Sequence, residues 1–362
     1  MPDFSTTGFI PRTICRAWLG SREVAIEPLV GAGFSGARVW RARSGTADEW
    51  VLKSWTPGER AGEGGVDRIT WVHGLMRHLR RQGMAEVVEP MTTIDGGTTA
   101  VDAEGTPWEL LPFIAGRPAT VPTAAQTAAA AACLARLHAA AESFAGSPPV
   151  CGVPAAFQRR IASAQRLIER PWAGIGLRGT VGGMTPLQRA VAERLAVAVK
   201  VFDKERGDAA VRRVAALEPP ALPLQAVLRD IWSDHVLYAE PDSSRVVGVI
   251  DFHAASIDTP ATDIARLFGS WRSDAVGPPT MIWSQALRAY EAIRPLRTIE
   301  RGWISWLHAT GVVFGLDNWF RWTLLESREF VRPARVIGRL DQLLAAFPAA
   351  LADIVDRDVD AV

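Results

Sequence analysis

Lysine is nearly missing from this 362-residue chain: of its 40 basic residues only Lys53, Lys200 and Lys204 are lysine, and the rest are arginine. A lysine here is therefore an exception that asks for a reason. Cysteine is also scarce. Cys15, Cys133 and Cys151 are odd in number and unclustered, which argues against a disulfide framework and against a cysteine metal centre. Charge of one sign is lacking too: 40 basic residues face 39 acidic ones, a formal charge of +1. Bulk electrostatics thus calls for neither nucleic acid nor an anionic membrane, and small or modestly charged partners are expected. No run reaches the roughly eighteen apolar residues of a membrane helix. The N-terminal MPDFSTTGFIPRTICRAWLG has an acid, two prolines and no basic-then-apolar order, so it does not read as a secretory signal. A soluble, cytoplasmic protein is expected, long enough for a full core divided into two lobes.

What is present changes character along the chain. EVAIEPLV (23–30), ARVWRAR (37–43) and WVLKSW (50–55) are short and β-like, separated by glycine-rich and polar turns, and predict a meander. Ile69, Val72, Leu75, Met76 and Leu79 recur at helical spacing before Gly83. Two further extended runs lie in MTTIDGGTTAVDAEGTPWELLPFI, and the chain then crosses a Gly-Pro break at AGRPATVP. Beyond residue 122 the pattern turns helical, from an alanine-rich segment through stretches near 155–170 and 185–216 to most of 280–355. No internal repeat is found. The division expected is a nucleotide-binding lobe over 1–115 and a larger, mostly helical lobe over 116–362.

Gly31, Gly33 and Gly36 fit G-x-G-x-x-G, a pattern shared by two unrelated nucleotide sites and by ordinary hairpin turns. A dinucleotide fold needs a helix directly after the glycines and an acid about twenty residues on. Here a strand, a turn and another strand follow, and Asp48 and Glu49 fall in the turn. Glycines bridging two antiparallel strands suit the kinase arrangement, in which backbone N–H groups cover phosphates and a lysine reaches in from the next strand. Lys53 in VLKSW stands at that place. In a chain that otherwise chooses arginine, a compact ammonium suits a point-charge contact to phosphate oxygens; a solvated strand lysine is the alternative.

The second constellation lies in VLRDIWSDHVLY (227–238). VLYAE (236–240) and RVVGVI (245–250) are β-like around the turn chemistry of PDSS, so they should pair antiparallel. That pairing sets 236 opposite 250 and brings His235 close to Asp251, while Asp230 lies on the loop leading into the same edge. One aspartate is then placed to orient a hydroxyl and accept its proton, and the other to hold magnesium.

These residues carry a resemblance. LRDIWSDH, then VLYAEPDSSRVVGV, then IDFHAASIDTPATDIARL resemble the aminoglycoside phosphotransferase and choline kinase-like family, small-molecule relatives of protein kinases, whose motif reads H-G-D-x-x-x-x-N, a hairpin, I-D-[WF] and G-D-P-x-x-D-[LI]-A. The resemblance implies an α+β, two-lobed protein kinase-like fold: a small antiparallel-sheet lobe with one main helix, and a larger helical lobe holding the catalytic loop (228–235), the metal-binding hairpin (236–251) and the acceptor site. It implies ATP and Mg2+ as cofactors, Asp230 as catalytic aspartate, and Asp251 as metal ligand. Asp258 and Asp263 fall on aspartates that brace the catalytic loop and start the next helix. WELLPFIAG resembles the hinge, where backbone groups around Leu111 to Phe113 would meet adenine.

The departures are specific. Leu228 and Arg229 replace the residues before the catalytic aspartate, and His235 replaces the asparagine that holds a second metal. An imidazole suits manganese better than magnesium. The helix over 66–83 has no mid-helix glutamate for Lys53, and Asp67, Glu63 and Glu59 stand only at or before its start. Two readings follow: an ATP-dependent kinase acting on a hydroxyl of a small molecule, or a nucleotide-binding pseudokinase with a regulatory role and little transfer. Residues 279–362 hold ten arginines and ten acids, no surplus suited to a polycationic acceptor. Trp303, Trp306, Trp319 and Trp322 recur at helical spacing, as an aromatic wall or as helix packing. Trp232, inside the loop, is better placed for substrate. His73, His78, His138 and His308 lack metal-like spacing and are expected to be structural.

Overall fold

The computed structural model describes residues 9–29, 37–45, 48–56, 68–145, 150–175, 183–241, 243–271 and 279–357. Gly31, Gly33, Gly36, Glu59, Glu63 and Asp67 lie outside these residues. The fold is mixed α+β, with an antiparallel sheet in the N-terminal part and a helical remainder.

Compactness groups the chain differently from a single cut in chain order. One unit takes the described residues within Met1–Gly146, Ser233–Ser256 and Thr280–Ile293; the other takes those within Ser147–Trp232, Ile257–Pro279 and Arg294–Val362.

The first unit is built on a five-stranded sheet. Its strands are β1 (Ala25–Pro28), β2 (Val39–Ser44), β3 (Asp48–Ser54), β4 (Thr99–Val101) and β5 (Pro107–Pro112), in the order β1-β2-β3-β5-β4. The meander expected from the three apolar runs is present, with β2 and β3 paired antiparallel from Val39↔Lys53 to Ser44↔Asp48. Successive side chains on a strand point to opposite faces. One face therefore carries Ala42, Trp50, Leu52, Trp108 and Leu110, all buried. It is closed by Ile14, Cys15 and Trp18 of a helix, α1 (Phe9–Leu19), whose part in the core was not anticipated from composition. Each such large apolar side chain contributes roughly 1.5–3 kcal/mol on burial. The opposite face carries Val39, Val51, Lys53, Glu109 and Leu111, by the pairings Val39↔Lys53↔Glu109 and Val51↔Leu111.

On from the sheet, α2 (Arg68–Arg81) buries Ile69, Val72, Leu75, Met76 and Leu79, the residues whose spacing predicted it. The alanine-rich run forms α3 (Ala124–Ala141), started by a capping box between Thr123 and Gln126. Two short strands, β8 (Val236–Tyr238) and β9 (Val246–Val249), make a hairpin. The 114–117 segment lies against it: Arg117 and Tyr238 exchange backbone hydrogen bonds at 2.9 Å. A Cβ on Gly116 would sit 2.7 Å from Val247 and 3.1 Å from the Tyr238 carbonyl oxygen, so only glycine allows this approach.

The second unit holds α4 (Ala155–Glu169), α5 (Pro186–Lys204), α6 (Gly207–Ala215), α7 (Pro260–Phe268), α9 (Thr298–Phe320) and α10 (Pro333–Asp356), of which α7 and α9 pack on a three-stranded sheet. That sheet runs β10 (Ser256–Asp258), β7 (Leu222–Val227), β6 (Val150–Gly152). The helical stretch expected over 185–216 is two helices, broken where Arg206 takes a left-handed conformation at φ 55°. Between the second unit's α7 and α9 runs α8 (Pro279–Glu291), most of which belongs to the first unit. Among the described residues no helix is long and apolar enough to cross a membrane.

Candidate functional site

In the first unit, strand alternation decides what Lys53 meets. Its Nζ donates to Asp251 Oδ1 at 2.5 Å, joining residues 198 positions apart, with side chains 12% and 22% exposed. Asp251 sits just past β9 at φ 69°, a left-handed conformation an aspartate tolerates better than most residues. Such backbone costs on the order of 1–3 kcal/mol and persists only where the surroundings hold it. Here they do: Ile250 N donates to the His235 carbonyl at 3.0 Å, and Arg68, the first residue of α2, donates to the carbonyls of His253 and Ala255.

The hairpin register differs from the simple count by one. Val236 faces Val249 rather than residue 250, because an irregularity between Leu237 and Tyr238 pairs Tyr238 with Val246. The shift leaves His235 beside Asp251, with Nε2 3.6 Å from Oδ2. His253, two residues on, also reaches the carboxylate, its Nδ1 at 2.6 Å from Oδ1. Burial on its own raises the Asp251 carboxyl; Lys53, the His253 hydrogen bond and charge, and His235 outweigh it and hold the group well below the usual range.

Beside Lys53 on the same sheet face, Glu109 is buried and meets a residue of α2 that the sequence marked only as structural. His73 Nε2 lies 2.7 Å from Glu109 Oε2, and Nδ1 2.7 Å from Thr98 Oγ1. The helix thus presents an imidazole where a glutamate was looked for, and the acid comes from β5. His78 lies against the Ala140 carbonyl and His138 against the Tyr290 hydroxyl. At the expected hinge, Leu111 is half-buried on β5, Phe113 N donates to the Glu49 carbonyl at 3.0 Å, and the Arg41 guanidinium lies 4.1 Å over the Phe113 ring.

In the second unit, β7 delivers the loop that bears Asp230. Leu228 N and Arg229 N donate to the two oxygens of Asp263, at 2.7 and 2.6 Å, and Asp263 on α7 is fully buried. Arg229 takes φ 64° there. Asp258, also fully buried, accepts from Ala156 N, Thr259 N and Arg159. These two acids brace the loop and the entry to α7. Asp230 Oδ1 accepts from Trp232 Nε1 at 2.7 Å and from Arg266 at 2.5 and 3.1 Å. Two guanidinium groups, those of Arg266 and Arg339, lie over the Trp232 ring, each 4.1 Å from its centroid. Neither arginine was singled out in the sequence, since both sit on helices with no local signature. The other tryptophans pack. Trp303, Trp306 and Trp319 are buried; Phe157 stacks on Trp306 at 4.9 Å and meets Trp303 edge-on, and Trp319 meets Trp322 edge-on.

Among the described residues no set of three or more His, Cys, Asp and Glu is disposed as a complete metal cage. One carboxylate with an adjacent imidazole fits a cation that takes its remaining ligands from phosphate and water. His235 Nδ1, buried and without a hydrogen-bond partner among the described residues, leaves that ring an unused nitrogen.

Comparison with known proteins bears on this geometry. Residues 28–296 match the phosphotransferase enzyme family. The homoserine kinase of Phenylobacterium zucineum is 30% identical over 263 residues, 72% of this chain and 71% of that protein. The homoserine kinase of Xanthobacter autotrophicus is 26% identical over 76% and 77%. Among solved structures, spectinomycin phosphotransferase in complex with ADP and spectinomycin has a TM-score of 0.61 at 12% identity, covering 92% of this chain and 93% of that one. Amicoumacin kinase bound to AMP-PNP and Ca2+ has a TM-score of 0.58 at 13%, covering 90% and 88%. These two likenesses show the fold.

Proposed function

Because the chain belongs to the phosphotransferase enzyme family, we propose that it is a kinase that moves the γ-phosphoryl group of ATP to a hydroxyl of a small molecule. The observation that carries this reading is the 2.5 Å pair of Lys53 and Asp251. An ammonium from a strand and a carboxylate from a hairpin are what ATP phosphates and their metal require. Lys53 would contact phosphate oxygens. Leu111 and the backbone near Phe113 would border adenine, and Gly31, Gly33 and Gly36 would cover the phosphates. Asp251 and His235 would hold Mg2+, or Mn2+ given the imidazole; the metal, when bound, shields the phosphate charge.

Asp230 is assigned to the acceptor. It orients the hydroxyl and takes its proton as the new O–P bond forms and the bond from the γ-phosphorus to the β,γ-bridging oxygen breaks, releasing ADP. Trp232 and Arg266 fix this carboxylate through Oδ1. Homoserine heads the panel of acceptors because curated relatives act on it by name. The experiment is ADP release from ATP with Mg2+ or Mn2+ over that panel, for wild type and Asp230→Asn. Acceptor-dependent turnover that the substitution removes supports the assignment. Nucleotide binding with no turnover on any acceptor would instead favour a binding module, and equal rates in both proteins would remove Asp230 from the mechanism.

A further inference from the structure

Two arginines stack on the tryptophan beside Asp230, and the charge of a third, Arg160, reaches Arg266's neighbourhood. Arg266 is met by Asp230, with side chains 36% and 31% exposed, open enough to reach a ligand. Arg339 is different. Its hydrogen bond goes to Gln342 Oε1 at 2.6 Å, its guanidinium lies on Trp232, and its Nε is buried with no hydrogen-bond partner among the described residues. Burial pushes it down to about 9, Arg266 adds to the fall, and Asp230 opposes it. Arg160 spends its donors on Thr310 Oγ1 and the carbonyls of Ala156 and Leu307, none of them anionic, and burial pushes it too down to about 9. His308 is pushed down to about 4 by burial and by the charges of Arg339 and Arg160. Asp258 is already engaged by Arg159, and Asp263 by Leu228 N and Arg229 N.

Two guanidinium groups stacked on one indole beside the acceptor-assigned aspartate each carry a planar fork of N–H donors, the geometry that pairs with an oxyanion. A buried guanidinium whose Nε has no acceptor is a standing cost that an incoming anion relieves. We propose that Arg266 and Arg339, both stacked on Trp232, bind a carboxylate of the acceptor, so that the substrates are hydroxyl compounds that also bear an acid group. The inference rests on the assignment of Asp230 to the acceptor hydroxyl. It adds a coupling: a carboxylate that takes donors of Arg266 withdraws them from Asp230 Oδ1 and leaves that oxygen a better proton acceptor.

The test uses the full chain and matched acceptors, homoserine, 4-hydroxybutyrate and glycerate, each against its own carboxamide. Binding is read by calorimetry without nucleotide, and transfer by kcat/KM with ATP. At least one acid should bind tenfold or more tighter than its amide and exceed it in kcat/KM by a similar factor. In Arg339→Gln both preferences should shrink to within threefold, and Arg339→Lys, which keeps charge but not the fork, should fall between. A wild-type protein that treats every acid and its amide alike overturns the proposal, as does an Arg339→Gln protein, folded by its circular dichroism, that keeps the full preference. Tighter, Arg339-dependent binding of an acid with no transfer to any acceptor would sink the kinase reading while leaving the carboxylate site standing.

Discussion

Asp251 and Asp230 are both loop aspartates, yet their surroundings are built on different chemistry. Asp251 is held by an ammonium and flanked by two imidazoles, groups that exchange a proton or take a metal. Asp230 is held by an indole N–H and a guanidinium, groups that only donate. On the kinase reading proposed above, the first environment gives up Lys53 to a phosphate while the imidazoles stay beside Asp251. The second fixes its carboxylate through Oδ1. One fold thus supplies two loop carboxylates with different partners.

The largest expected effect separates the two by kinetics. Asp230→Asn should lower kcat by about 10²–10⁴-fold, the range of general base catalysis, with the Kd for ATP and metal changed by less than about threefold. Asp251→Asn should instead weaken metal-dependent nucleotide binding on the order of tenfold or more, about 1.4 kcal/mol. Similar binding losses in both variants would erase the distinction.

The pH dependence of stability sharpens it further. His308 in the second unit is pushed down to about 4 from 6.5. Between those values the unfolded chain binds more protons, so stability should rise with pH over that window, by on the order of 3 kcal/mol at most, and level off above it. Chemical denaturation from pH 4 to 7 should show this slope, and His308→Gln should lose it. Asp251 works at lower pH. Its folded carboxyl titrates well below the unfolded value near 3.9, so its contribution is complete above about pH 4 and is lost as pH falls through the folded value. Asp251→Asn should flatten that acid limb, while an unchanged limb would deny the Lys53 pair its role. The smallest effect concerns the support of the hairpin: Gly116→Ala sets a methyl against Val247 and the Tyr238 carbonyl. It should cost about 1–3 kcal/mol in a denaturant melt.

Much of this arrangement is legible locally. The apolar run around Lys53 and the turn chemistry between 236 and 250 are short-range patterns, so the meander, the hairpin and the approach of His235 to Asp251 follow from them, even with the register one residue off. The His73–Glu109 pair was not legible, because a buried imidazole and a buried carboxylate on separate elements carry no shared spacing. The first helix was missed for a related reason: it is short, and its place over the sheet is a matter of packing rather than of period. The tryptophan spacing on α9 was ambiguous until Phe157 was seen stacked on Trp306, which resolves it as core.

The sequence by itself determined the class of protein and the face of the sheet on which Lys53 points, because alternation and turn preference act between neighbours in the chain. Tertiary structure alone decided that Asp251 is the carboxylate this lysine meets, and that Arg266 and Arg339 close on Trp232 from two different helices. Such meetings depend on how whole elements stack, and that is set by the sum of many small contacts to which no single stretch of residues holds the key.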